Sequence, residues 1–310
     1  MKISVAAAVV ALAILAALPA LLDHERRPLD ESVRDEAPGE FVEITDGRVH
    51  YEVTGSAGDP LLVMVHGFNG PLTTWDRNVD ALAAAGYQVL AYDLFGRGYS
   101  DRPRLTYDLD LFCRQLGEML DALGARYEFS LIGSSFGAVV ASEFTLRNPD
   151  RVNSLILVGP AGFSSPADRS AWLLNIPLLS EYLYSIIGDR MMKSLTRRYY
   201  VDPERYPEAH QDFATQISID GYKRAALSTL RHSPLRDYAS GWQRVGALGK
   251  LLLLIWGRQD VSFPYANHAA ALRLMPQARL VTVEQAAHLP QYEQPETVNA
   301  AILDFLSNTQ

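Results

Sequence analysis

The sequence predicts a doubly wound, mostly parallel α/β sheet interrupted by a helical insert. Three observations carry that expectation. Short, fully apolar runs recur along the chain, as strands buried on both faces of a parallel sheet require. Helical patterns separate those runs, which is the rhythm of an α/β fold. Between Val158 and Leu251, about ninety residues pass without a convincing strand, too many for a bare loop.

The elements can be justified in chain order. Phe41–Thr45 and Arg48–Thr54 flank Asp46-Gly47, a hairpin signal. Leu61–Val65, Tyr87–Ala91, Phe129–Ile132, Leu155–Val158, Leu251–Trp256 and Leu280–Val283 are the apolar strand candidates, the third with a lead-in from Tyr127. Leu109, Phe112, Leu116, Leu120 and Leu123 keep helical spacing, as do Val298, Ile302 and Phe305. The long interval holds helical patches and Trp172, Tyr182, Tyr184, Tyr199, Tyr200, Tyr206 and Tyr222. It reads as a helical cap over the C-terminal edge of the sheet, most of its aromatics forming the cap's own core and a few lining a substrate channel. The resulting division is 1–22 an apolar segment, 23–40 a charged linker, 41–162 with 246–310 the core, and 163–245 the cap.

A chain of 310 residues can bury a full core, and its formal charge of −8 argues against a nucleic-acid partner. The single cysteine, Cys113, excludes an intrachain disulfide and falls on the inner face of a helix. Near the N-terminus Ile3 to Leu22 is almost unbroken apolar sequence, enough to span a bilayer at about 20 residues. It reads as an export signal or, in preference, an uncleaved anchor. The expected location is therefore exported or membrane-anchored, with membrane association through residues 3–22. No lipobox cysteine is present, and Lys2 faces Arg26 and Arg27 across the run, so charge does not select an orientation.

The chemistry centres on Gly133-Ser134-Ser135-Phe136-Gly137, a G-x-S-x-G run between a strand pattern and a helical pattern, Ala138 to Arg147. A serine on a sharp strand-to-helix turn exposes its hydroxyl, and small flanking residues permit the turn. The register selects Ser135, because centring on Ser134 would put Ile132 and Phe136 where small residues are needed. A serine needs a base, and the base needs an acid to fix its tautomer. In this motif they follow in the order Ser, acid, His. Asp260 follows one late strand and His288 the next, at strand ends where open α/β sheets place ligands. Asp237 is the only other acid worth weighing. A tetrahedral oxyanion needs two donors. The Phe136 amide is one, and the Phe68 amide, in the loop His66-Gly67-Phe68-Asn69-Gly70, is the candidate for the other. His66 reads as a structural hydrogen-bonding group. Asn69 is divided between loop bonding and substrate contact. No H-E-x-x-H or other metal motif is visible, and no cofactor is implied.

These motifs carry a resemblance. "VHGF" at Val65–Phe68, "YDLFGRGYSDRP" at Tyr92–Pro103, "IGSSFG" at Ile132–Gly137, "WGRQD" at Trp256–Asp260 and "AHLPQYEQPE" at Ala287–Glu296 stand in order. Together they make the chain similar to the α/β-hydrolase superfamily, in its capped serine esterase and lipase branch, monoacylglycerol lipases included. The resemblance covers about Phe41 to Leu306. It implies Ser135 as nucleophile, Asp260 as acid, His288 as base, and Phe68 and Phe136 as oxyanion donors. It makes Asp93, Gly96 and Gly98 a bracing loop. Phe136 stands where many relatives have methionine, and Ala138 where many have a third glycine. Ser135 excludes the branches with an aspartate nucleophile. The leading expectation is a carboxylic-ester hydrolase acting on a small or lipid-like ester such as a monoacylglycerol, through an acyl-enzyme. A C–C hydrolase of vinylogous diketones, a cofactor-free perhydrolase and a non-catalytic ligand receptor remain as alternatives.

Overall fold

A computed structural model describes residues 5–125, 128–165 and 172–307, so the lead-in at Tyr127 and residues 3–4 of the apolar run lie outside it. Residues 166–171 of the long insert lie outside it too. Eight strands form one sheet: β1 (Glu40–Ile44), β2 (Gly47–Thr54), β3 (Leu61–Val65), β4 (Gln88–Tyr92), β5 (Phe129–Ser134), β6 (Val152–Val158), β7 (Leu251–Gly257) and β8 (Arg279–Val283). Their order is β1-β2-β4-β3-β5-β6-β7-β8. β2 is antiparallel to both β1 and β4, and every pairing from β4 to β8 is parallel. The order reverses around β3, so the chain leaves β3 and β5 towards opposite sides. The crevice of a doubly wound sheet opens at such a point.

Helices cover both faces. α1 (Val5–Leu22) and the one-turn α2 (Glu31–Arg34) precede the sheet. α3 (Asp76–Ala84), α4 (Leu109–Ala122) and α5 (Phe136–Arg147) follow β3, β4 and β5. α6 (Leu179–Arg197), α7 (Pro207–Ile217), α8 (Tyr222–His232) and α9 (Ala239–Ala247) lie between β6 and β7. α10 (His268–Leu274), α11 (Pro290–Glu293) and α12 (Pro295–Ser307) complete the fold. α4 illustrates the local logic. Asp108 caps it by accepting from the Leu111 amide at 3.0 Å. Its inner stripe buries Leu111, Phe112, Cys113, Leu116, Met119 and Leu120, each large aliphatic or aromatic chain contributing about 1.5–3 kcal/mol. Burial pushes the Cys113 thiol up to about 12, so it is inert packing. One apolar core, with α4 and α5, fills one face of the sheet. A second, with α3 and α12, fills the other.

The N-terminus corrects the sequence reading. Among the described residues no helix is long and apolar enough to cross a membrane. α1 has 18 residues and contains Pro19. It packs on α6 instead, where Tyr182 Oη donates to the Leu15 carbonyl at 2.7 Å. The expectation of an anchor or export segment, with its membrane association, is overturned. The charged stretch after it is docked as well. The Arg26 and Arg27 amides donate to Ser218 O, and Asp220 N donates back to Arg27 O.

Candidate active site

Ser135 sits between β5 and α5 at φ 53° and ψ −116°, a conformation non-glycine residues rarely adopt. The surroundings impose it. The Ser135 amide donates to Val158 O on β6, and its carbonyl accepts from the Ala138 and Ala161 amides. Gly133 and Gly137 flank it because nothing larger fits. A Cβ on Gly133 would lie 2.4 Å from Gly137 O, and one on Gly137 would lie 2.2 Å from Val65 O.

The structure brings Ser135, His288 and Asp260 into one chain of hydrogen bonds. His288 Nε2 is 2.8 Å from Ser135 Oγ, and His288 Nδ1 is 2.8 Å from Asp260 Oδ2. Asp260 Oδ1 accepts from the Ser262 and Phe263 amides at 2.8 and 3.0 Å. The carboxylate is thereby fixed with one oxygen turned to the imidazole. All three residues are buried, and Phe263 packs on the His288 ring. An acceptor at Nδ1 keeps the proton there and leaves Nε2 basic towards the hydroxyl. Asp237 lies elsewhere, exposed, accepting from the Ala239 amide at the start of α9.

Phe136 supplies the first amide of α5, which has no partner within the helix. Across from it runs the loop after β3. Gly67 is so close that a Cβ would stand 3.1 Å from Ser135 Cβ, and Phe68 follows it into the pocket. Buried side chains brace the loop. Arg97 Nε donates to Phe68 O at 2.5 Å, its guanidinium lying over the Phe68 and Tyr222 rings. Gln216 Nε2 donates to Asn69 O. Fully buried His66 binds Gly67 O through Nδ1 and accepts from the Leu94 amide through Nε2. Burial drags its pKa down to about 4, so it is a neutral strut. Asp93 accepts from the Leu72 and Tyr99 amides and from His50 Nδ1.

The pocket beside Ser135 is small, about 30 Å³, and lined by Phe68, Tyr199, Tyr200, Phe213, Leu289 and Tyr292 among others. Tyr199 is one of the insert aromatics that face the site. The His288 and Leu289 amides donate to its carbonyl at 3.0 and 3.3 Å, and its ring lies 4.9 Å from the His288 ring. Asn69 Nδ2 donates to its hydroxyl at 3.1 Å, which assigns Asn69 to loop bonding. Glu293 is a second residue missed. One oxygen accepts from Val201 N at 2.7 Å and the other from Ala287 N at 2.6 Å, stitching the insert to the turn that carries His288. Its place in the Ala287–Glu296 motif, five residues after His288, was the available signal. Trp172 is largely exposed and Tyr184 is buried against Met192, so neither lines the pocket.

Residues 60–295 match the model of the α/β hydrolase fold family. A 2-hydroxy-6-oxononadienedioate/2-hydroxy-6-oxononatrienedioate hydrolase of Burkholderia vietnamiensis is 30% identical over 272 residues, 84% of this chain and 92% of the relative. Among solved structures, an enol-lactonase from Burkholderia xenovorans LB400 superposes with a TM-score of 0.72 at 20% identity, covering 86% of this chain and all of its own. A thermophilic esterase from Thermogutta terrifontis superposes at 0.73 and 24% identity, covering 87% and 99%. These two likenesses speak to fold alone. Sheet order, motif sequence and family match agree: the chain belongs to the α/β-hydrolase fold family.

Proposed function

We propose that this hydrolase cleaves a carbon–carbon bond beside a ketone in a conjugated diketone, through an acyl-enzyme on Ser135. The observation that carries the reading is the 30% identity, across nearly the whole of both chains, to a relative named for a 2-hydroxy-6-oxo-diene acid. Such a compound is the enol form of a vinylogous diketone. In the keto form, Ser135 Oγ adds to the ketone carbon while His288 takes its proton, and Asp260 holds the resulting imidazolium. The amides of Phe68 and Phe136 receive the developing oxyanion. When the tetrahedral adduct collapses, the C–C bond breaks. Its electron pair moves through the double bond onto the second carbonyl oxygen, giving a dienolate that takes the proton held by His288. Water, deprotonated by His288, then releases the acyl group.

Ester hydrolysis would use the same residues and is the competing reading. The lipid-like ester is the less favoured form of it, because the relative matched over most of both chains is named for an oxo-diene acid. The test is a panel of a vinylogous diketone, p-nitrophenyl esters and a monoacylglycerol, run on wild type and Ser135→Ala. The diketone should be preferred in kcat/KM by tenfold or more, with all turnover and fluorophosphonate labelling lost in the variant. Preference for the monoacylglycerol would restore the lipid-ester reading. Labelling that persists in Ser135→Ala would displace the nucleophile.

A further inference from the structure

The breaking C–C bond needs an electron sink, and in the reaction above Ser135, His288 and the two amides are all committed to the attacked carbonyl. A second donor is required where the dienolate oxygen forms. Tyr199 has the attributes. Its ring lies 4.9 Å from the His288 ring, and it lines the pocket together with Ser135, Phe68 and Asn69. Its backbone is immobilised, since Tyr199 O receives the amides of His288 and Leu289 and the neighbouring Val201 amide is held by Glu293. Its hydroxyl oxygen accepts from Asn69 Nδ2 at 3.1 Å. Asn69 is fixed in that orientation because its Oδ1 accepts from Tyr222 Oη, also at 3.1 Å. An accepted bond on the phenolic oxygen leaves the O–H free to donate, and makes it a better donor through polarisation.

Resting on the C–C reading above, we infer that the Tyr199 hydroxyl donates a hydrogen bond to the distal carbonyl oxygen of the substrate and stabilises the dienolate. Burial holds the phenol well above its usual pKa. It therefore donates a hydrogen bond and keeps its proton, and the proton the dienolate finally takes is the one His288 removed from Ser135. Ester cleavage expels an alkoxide and has no distal sink, so it does not call on Tyr199 in the same way.

Two measurements decide this. The first compares kcat for a vinylogous diketone and for a short alkyl ester in wild type and Tyr199→Phe. The loss on the diketone should exceed the loss on the ester by tenfold or more, in kcat and not in KM. Equal losses, or a loss confined to KM, would overturn the inference and leave Tyr199 a strut for the His288 turn. The second uses Ser135→Ala, which should bind the conjugated substrate without cutting it. The absorption band of the bound dienol should move to longer wavelength, and adding Tyr199→Phe should remove most of that movement. A wild type that fails to cleave the diketone while this band shift depends on Tyr199 would retire the C–C reading and keep the donor. Cleavage by wild type with a band that ignores Tyr199 would retire the donor and keep the reading. No binding by Ser135→Ala would overturn both.

Discussion

Asp260 binds His288 with one oxygen and two backbone amides with the other, so its charge has one task. Asparagine keeps the size but can present a donor to the imidazole, which favours the wrong tautomer. In a serine protease the same change costs about 10⁴ in turnover. Asp260→Asn should fall by several orders of magnitude in kcat with an unchanged melting temperature, and Asp237→Asn should be mild. The reverse pattern would move the acid to Asp237. Gly137 is constrained by distance. An alanine Cβ would meet the carbonyl oxygens of Val65 and His66 at 2.2 and 2.4 Å, both backbone and unable to yield. Gly137→Ala should cost about 3 kcal/mol of stability and dislodge the loop that carries Phe68. Urea denaturation that matched wild type would refute this.

His50 and Asp93 form a buried pair at 2.6 Å. Burial pulls the His50 imidazole down, but the hydrogen bond and charge of Asp93 outweigh it and hold the folded value raised. Burial likewise pushes Asp93 up, and His50 with the loop amides outweighs that, leaving it lowered. The His50 contribution is therefore complete below its unfolded value of about 6.5 and is lost as pH rises through the raised folded value. The Asp93 contribution is present above about 3.9 and is lost as pH falls through its lowered value. As pH rises above about 6.5, wild type should lose melting temperature more steeply than His50→Gln. Parallel curves would show that the pair is not the source.

At the scale of elements, the central strands were legible as short apolar runs bounded by turn residues, and β1 and β2 through the Asp46-Gly47 turn between them. The hydrogen-bonded trio was legible because Ser135, Asp260 and His288 each follow such a run. What sequence could not show was which apolar or charged stretch docks on which. The run before Asp23 has the composition of a membrane segment, but as a helix it is 18 residues long and lies on α6. The stretch after it was legible only as polar and proline-bearing. Its Asp23 reaches Lys223 Nζ at 2.7 Å, and Asp189 reaches the same nitrogen at 2.9 Å. His24 Nδ1 lies 2.7 Å from Asp189, and the Glu25 carboxylate accepts the Gly221 and Lys223 amides. Burial lowers the lysine pKa, but the two aspartates outweigh it and hold it raised. Lys223→Met would leave the two carboxylates facing each other. With the partners partly in water, the cost should be about 2 kcal/mol, measured by chemical denaturation. A cost below 0.5 kcal/mol would make the cluster incidental.

At the scale of the whole molecule, the site is assembled where the sheet core meets the inserted helices. Glu293 is the joint, bonding Val201 of the insert and Ala287 of the His288 turn with its two oxygens. Glutamine there has only one acceptor, and its amide would face an N–H. Glu293→Gln should cost about 1–3 kcal/mol and lower kcat more than tenfold, because the base turn loses its tether. An unchanged kcat would show that Tyr199 O holds the turn by itself. Neither contact was legible, since the motif that contains Glu293 fixes its position in the chain and not its partner in the insert.

The contact between Asp23 and Lys223 joins positions 200 residues apart. Chains are synthesised from the N-terminus at about 5–20 residues per second, so the first partner waits on the order of 10–40 s for the second. For most of that time α1, whose Val9, Val10, Ile14 and Leu15 are exposed even in the finished fold, has no α6 to lie against. The nascent chain thus carries an uncovered apolar helix until α6 is made. A chaperone that recognises apolar helices would meet it there, and would be released when α6 arrives.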